Sequence, residues 1–116
     1  MAENTKSIAT LRREAVSEAW REEKELVIET GQGTKRWTKA EIEELKATGK
    51  VKGYHGHHIN SVNGSPELAG DPNNIEFVKG TKENLQKHGG NFRNKTRGPL
   101  INRKEKIKAF KQNTSN

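Results

Sequence analysis

The apolar pattern of the chain changes character at Gly49, and that change confines the fold more than any other feature. Before it, residues 6–29 repeat at helical spacing. Ile8, Leu11, Ala15 and Ala19 form one stripe with Val16, Trp20 and Val27 beside it, and the opposite face carries Arg12, Arg13, Glu18, Glu22 and Glu25. Gly31 reads as a helix stop, and Gly31-Gln32-Gly33-Thr34 as loop. Thr38 with Glu41 three residues on is a capping box, and Trp37 with Ile42 a hydrophobic staple. They predict a helix from Lys39 to about Thr48 that ends at Gly49 and turns Ile42 and Leu45 inward. Beyond Gly49 the period is lost. Val51 to Ile59 reads as extended chain broken by Gly53 and Gly56. Asn60 to Asn74 is a long polar loop with turn signals at Asn63-Gly64, Ser65-Pro66 and Asp71-Pro72, and Ile75 to Val78 is a short strand holding Phe77.

A short helix is expected at Lys82–His88, capped by Thr81 and stopped by Gly89-Gly90. Residues 91–100 are irregular, and 103–111 form a basic helix with Ile107 and Phe110 three apart. Helices followed by two short strands predict an α+β fold with a thin core. Hydrophobic residues are 28% of the 116, against roughly 45–50% apolar (Gly included) in an average domain, so a bound ion or partner helps to hold it. The core material is concentrated in the two N-terminal helices, leaving Phe77, Leu85, Phe92, Leu100 and Ile107 for the rest. The absence of cysteine excludes disulfides, thiolate zinc sites and cysteine nucleophiles. No run approaches a membrane span, the N-terminus lacks an apolar signal region, and no GxGxxG, P-loop or G-x-S-x-G pattern occurs. Charge is uneven. Residues 1–78 hold 11 basic and 13 acidic side chains, net −2, and residues 79–116 hold 11 and 2, net +9. That basic third reads either as a surface for nucleic acid or as a solvated tail.

All four histidines lie between His55 and His88. Successive strand side chains point to opposite sides, so His57 and His58 suit two jobs: one can hold an ion and the other face the reacting group. Asn84 and His88, four apart, share one face of the short helix and could complete a metal site with one strand histidine. Such a donor set suits Mg²⁺, Mn²⁺, Ni²⁺ or Zn²⁺. His55 reads as a surface or supporting residue, Tyr54, Trp20 and Trp37 as packing residues, and Glu83 as a solvated or capping carboxylate. A strand with paired His, a long loop, a short strand and a short helix with His is the layout of a ββα-metal site.

Gly56-His57-His58-Ile59, then Asn74-Ile75-Glu76-Phe77, then His88-Gly89-Gly90-Asn91 resemble the GHH-type HNH/endonuclease VII-like nuclease toxin domains, the C-terminal domains of Rhs-type polymorphic toxins. Thr30–Thr34, Trp37-Thr38, the loop from Asn60 to Gly70 and Gly98–Arg103 also look like that family, so the resemblance covers roughly residues 15–103. It implies N-terminal helices (1–50) packed on a ββα-metal, His-Me finger core (51–103), with a basic helix and tail (104–116), as one compact domain. His58 matches the family's general base, His57 the metal ligand before it, and His88 the final helix ligand. Asn74 matches the central asparagine that orients the loop and the base. The helix position four before His88, commonly histidine in the family, is Asn84, which tilts the site toward Mg²⁺ or Mn²⁺.

The resemblance implies a metal-dependent, sequence-nonspecific endonuclease that hydrolyses phosphodiester bonds, DNA favoured over RNA, with one divalent ion. Lys79, Lys82, Lys87, Arg93, Lys95, Arg97 and Arg103 are the expected nucleic-acid contacts, extended by the basic helix to Lys111. It further implies an antibacterial effector, delivered by a type VI-like or Rhs-type route to the cytoplasm of a competitor and neutralised at home by an immunity protein. The alternatives are an RNase of the same fold and a weakened domain that only binds nucleic acid or its immunity partner. The initial Met without a delivery module reads as an excised domain or an orphan cassette.

Overall fold

The computed structural model of the chain describes residues 6–80 and 96–114. Helix α1 spans Ile8–Thr30; the Ser7 hydroxyl accepts the Thr10 N–H at 3.1 Å, and Gly31, at a φ of 81°, closes the helix by donating its N–H to the Val27 carbonyl at 2.8 Å. Helix α2, Lys39–Thr48, starts where its capping box predicts: Thr38 Oγ1 accepts from the Glu41 N–H at 3.1 Å, and the Glu41 carboxylate accepts from the Thr38 N–H at 2.9 Å. Strand β1, Tyr54–His58, pairs antiparallel with β2, Ile75–Lys79, in the register Gly56 to Phe77 and His58 to Ile75. The loop between them contains two 3-10 turns, Pro66–Leu68 and Pro72–Asn74. Helix α3 begins at Arg103 as expected and continues to Thr114. The short helix expected at 82–88, with Leu85 and Phe92, lies outside the described residues. No helix among the described residues is long and apolar enough to cross a membrane.

The two-stranded sheet lies against α1. Trp20 stacks on Phe77 with ring centroids 3.8 Å apart, and Trp37 meets Tyr54 edge-on at 4.8 Å. With Ala15, Ala19, Val27, Leu45, Val51 and Ile75 these rings make one apolar cluster, so both tryptophans and Tyr54 are packing residues. Gly56 permits a close approach of the strand to α1: a Cβ there would sit 2.7 Å from both methyl groups of Val16. Two of the expected core residues are exposed. Ile8, in the first turn of α1, is 44% exposed, and Leu100 is 46% exposed, in a segment held by backbone bonds such as Ile101 N–H to Asn73 O at 2.6 Å.

Polar groups fill the space the few apolar residues leave. Glu23 and Arg103 are both fully buried, with Arg103 Nε donating to Glu23 Oε1 at 2.7 Å. The guanidinium also donates to the carbonyls of Ile75 (2.9 Å) and Pro72 (3.3 Å), and its carbon stands 5.1 Å from the centre of the Phe77 ring. Glu23 accepts further bonds from the Thr34 N–H (2.6 Å), the Thr34 hydroxyl (2.8 Å) and the Trp37 indole N–H (2.8 Å). Arg103 is therefore a core residue and not a nucleic-acid contact, which corrects the sequence expectation. The spacing of α1 also misleads at Glu22, which is buried under α3 instead of facing solvent: Lys104 Nζ lies 3.8 Å from its carboxylate, and burial together with the neighbouring Glu18 pushes its carboxyl upward. Lys111 similarly lies 3.5 Å from Glu29.

Breaking a buried ion pair from one side leaves the other charge uncompensated, so Arg103→Ala should lower the unfolding free energy by about 3–5 kcal/mol in urea titrations. An unchanged urea midpoint would put Arg103 back on the surface.

Candidate active site

Antiparallel pairing sorts β1 onto two faces. Tyr54, Gly56 and His58 face α1, together with Phe77 and Ile75 opposite them. His55 and His57 lie on the other face, with His57 opposite Glu76. The two adjacent histidines thus work on different sides of the same strand end. Both are buried, whereas His55 is exposed.

His58 is held by the loop. Its Nε2 lies 3.0 Å from the Ala69 carbonyl oxygen. A carbonyl can only accept, so Nε2 carries the proton and Nδ1 keeps the free lone pair of a neutral imidazole. Burial lowers the pKa of His58 below the ordinary 6.5; the Ala69 bond opposes this, and the positive charge of Arg12 adds to it. The loop that carries this carbonyl is held one residue earlier, at Leu68, by Asn74, which is fully buried. Asn74 Oδ1 accepts from the Asn60 N–H (2.8 Å) and the Asn60 amide (3.0 Å), while its Nδ2 donates to the carbonyls of Asn60 (3.0 Å) and Leu68 (3.3 Å). Asn60 in turn exchanges two hydrogen bonds with the Gly98 backbone, Nδ2 to O at 3.0 Å and N–H to Oδ1 at 3.1 Å. Strand end, loop and the segment before α3 are knotted at one asparagine pair.

On the other face, His57 Nε2 lies 3.8 Å from Glu76 Oε2. Both border a cavity of about 300 Å³ that Thr96, Arg97, Gly98 and Pro99 also line. An imidazole nitrogen and a carboxylate oxygen suit a divalent ion as part of a donor set. Among the described residues no three His, Asp or Glu side chains converge on one point. The remaining expected ligands, Asn84 and His88, lie outside the described residues, as do Lys82, Lys87, Arg93 and Lys95. Of the other expected contacts, Arg97 is exposed at this cavity and Lys79 is exposed at the end of β2, across from Tyr54.

Several participants were not singled out in the sequence. Asn60, the Ala69 carbonyl and Glu76 act through tertiary contacts that a linear reading does not contain. On the His58 side, a groove of about 750 Å³ is lined by Gly56 and His58 and by Arg12, Arg13, Arg21, Lys24 and Lys50. The −2 of the first 78 residues conceals this cationic surface, because Glu22 and Glu23 are buried.

His58 should titrate below 6.5 when its ring resonances are followed by NMR in EDTA, and a midpoint at or above 6.5 would contradict the buried neutral ring. The unfolded chain binds that proton more readily, so the contribution of His58 to stability is complete above about pH 6.5 and declines as pH falls through and below that value.

Comparison with known proteins follows the same residues. A family described as "GHH signature containing HNH/Endo VII superfamily nuclease toxin" matches residues 2–79, which includes Gly56-His57-His58 and Asn74; residues 80–103 of the expected resemblance lie beyond that match. Teneurin-m of Drosophila melanogaster is 42% identical over 79 residues, covering 68% of this chain and 3% of that protein. Teneurin-3 of Mus musculus is 36% identical over 77 residues, 66% of the chain and 3% of the relative, and Teneurin-1 of Mus musculus 40% over 68 residues, 59% and 2%. The chain thus spans only 2–3% of the length of these curated relatives. With an α+β fold that brings the paired histidines and the buried asparagine to one strand end, the chain belongs to the GHH-signature nuclease toxin family of the HNH/Endo VII superfamily.

Proposed function

We propose that the chain is a metal-dependent endonuclease that hydrolyses phosphodiester bonds of DNA, with His58 as the general base. The observation that carries this reading is the fixed ring of His58, whose Nε2–H is engaged by Ala69 O and whose Nδ1 is the basic atom. A neutral imidazole in that state takes a proton from an attacking water. Asn74 is a positioning residue: it holds the Leu68 carbonyl, next in the chain to Ala69, and so keeps the loop against His58. His57 would hold a divalent ion together with Asn84 and His88, and that ion, when bound, supplies positive charge against the phosphate and the leaving oxygen. Arg97 and Lys79 stand on exposed positions where they can meet flanking phosphates. In this reading the domain acts as an antibacterial toxin in the cytoplasm of a competitor, and an acidic immunity protein neutralises it by covering cationic surface.

Plasmid DNA and an RNA of similar length, incubated side by side with Mg²⁺, Mn²⁺, Ni²⁺ or Zn²⁺, test the reading. DNA should be cut, and EDTA should stop the cutting. DNA left intact with all four ions refutes a DNase, and cleavage of RNA alone selects the RNase. His58→Ala should slow cleavage by about 100-fold or more, the usual scale for a lost general base, while Mn²⁺ binding measured by calorimetry is retained. Loss of Mn²⁺ binding in that variant would exchange the roles of His57 and His58.

A further inference from the structure

The groove beside His58 is built from one stripe of α1. Arg12, Arg13, Val16, Ser17, Trp20, Arg21 and Lys24 recur at helical spacing, and Lys50, just past the end of α2, stands in the same wall. Val16 and Trp20 belong to the packed side of the stripe, and the cations extend from its rim. Among the described residues no acidic side chain lines the groove. Arg21 is engaged by Glu18 and Glu25. Arg12, Arg13, Lys24 and Lys50 form no ion pair with a carboxylate among the described residues, so their charge is available to a polyanion. On the opposite side of α1, Glu22 and Glu29 face Lys104 and Lys111 of α3, so part of the C-terminal basic charge is spent within the chain.

We propose that this groove, lined by Arg12, Arg13, Lys24 and Lys50, seats the phosphodiester backbone of the nucleic acid that His58 acts on. The proposal rests on the reading of His58 as the base and moves the main phosphate track from the C-terminal third to the first helix. Its dimensions suit a backbone: Arg12 and Lys24 stand about 18 Å apart along α1 at 1.5 Å per residue, the length of about five nucleotide steps of a duplex at 3.4 Å each. The Gly56–Val16 approach sets α1 directly against the strand that carries His58, so a backbone lying along α1 passes His58, which lines the same groove.

The test is the salt dependence of binding of the full chain to a fluorescent DNA duplex in EDTA, with the duplex checked by gel for intactness. Arg12→Ala/Lys24→Ala should lower the slope of log K against log salt by about 2, as should Arg13→Ala/Lys50→Ala, because each lost contact releases about one fewer counterion. Arg36→Ala/Lys39→Ala, which removes two exposed cations outside the groove, should leave the slope unchanged. Two independent pairs keep the test decisive if one pair disturbs folding, which the melting temperature reports. Unchanged slopes in both groove pairs, or an equal loss in the Arg36/Lys39 pair, would overturn the proposal. So would groove variants that lose binding to polyglutamate but keep binding to the duplex, since that marks an acidic protein as the occupant. If the slopes fall as expected but the wild-type chain cuts neither DNA nor RNA, the base reading fails and the groove stands. If cutting proceeds and the slopes do not move, the groove fails and the nuclease reading stands.

Discussion

Four donors converge on the carboxylate of Glu23, and the rest of the structure is arranged around keeping them there. Moving a carboxylate and a guanidinium out of water costs several kcal/mol for each ion, and only well-formed hydrogen bonds at both groups offset it. Here the side chains come from three separate places. Glu23 belongs to α1, Thr34 and Trp37 to the connection before α2, and Arg103 to the start of α3. Gly33 lets the connection close over the carboxylate, since a Cβ at that position would collide with Glu23 and with the Trp37 ring. In a chain with so little apolar material, a satisfied polar centre takes a share of the job that side-chain packing does elsewhere.

The same centre reaches the site through the backbone. Arg103 donates to the carbonyls of Pro72 and Ile75, which bracket Asn74. Asn74 then fixes Asn60 and Leu68, and the Ala69 carbonyl beside Leu68 orients His58. The links are hydrogen bonds between buried or half-buried groups, joined by one or two residues of backbone, so a disturbance at Arg103 has a short path to the imidazole. This arrangement sets Arg103 apart from Arg97: one positions the strand that the site is built on, the other stands exposed at the cavity beside His57.

Local chemistry was legible in the sequence and pairings across the fold were not. Thr38, Glu41 and Gly49 mark the limits of α2 because capping depends on neighbours within four residues. Ile75 and Phe77 mark β2, and the alternation of strand side chains places His57 and His58 on opposite faces. Arg103 in a basic run looks like any other surface cation, and nothing near it in sequence announces a carboxylate 80 positions earlier. Net charge misled in the same way. Glu22 and Glu23 cancel Arg12 and Arg13 in a sum, yet in the fold they point into the interior and under α3 while the arginines face the groove. Asn74 was legible as a site residue only through the family resemblance; its four hydrogen bonds depend on Asn60 and Leu68, which the loop brings to it.

The separation of Glu23 from Arg103 has a consequence for the order in which the molecule is assembled. The helices and their caps close over short stretches of chain and form early, whereas a contact across 80 residues bears the full entropy of closing that loop. A chain that emerges or is threaded N-terminus first presents Glu23 long before its cation arrives. Until then the carboxylate has Thr34 and Trp37 to bond with but no counter-charge, and the Pro72 and Ile75 carbonyls lack the guanidinium that ties them down. The stretch that defines family membership stops at residue 79, so it ends before the group that neutralises its own interior. Arg103 arrives late, with Ile107 alone of the described buried residues behind it, and its docking ties down the Pro72 and Ile75 carbonyls on either side of the asparagine that holds the His58 loop.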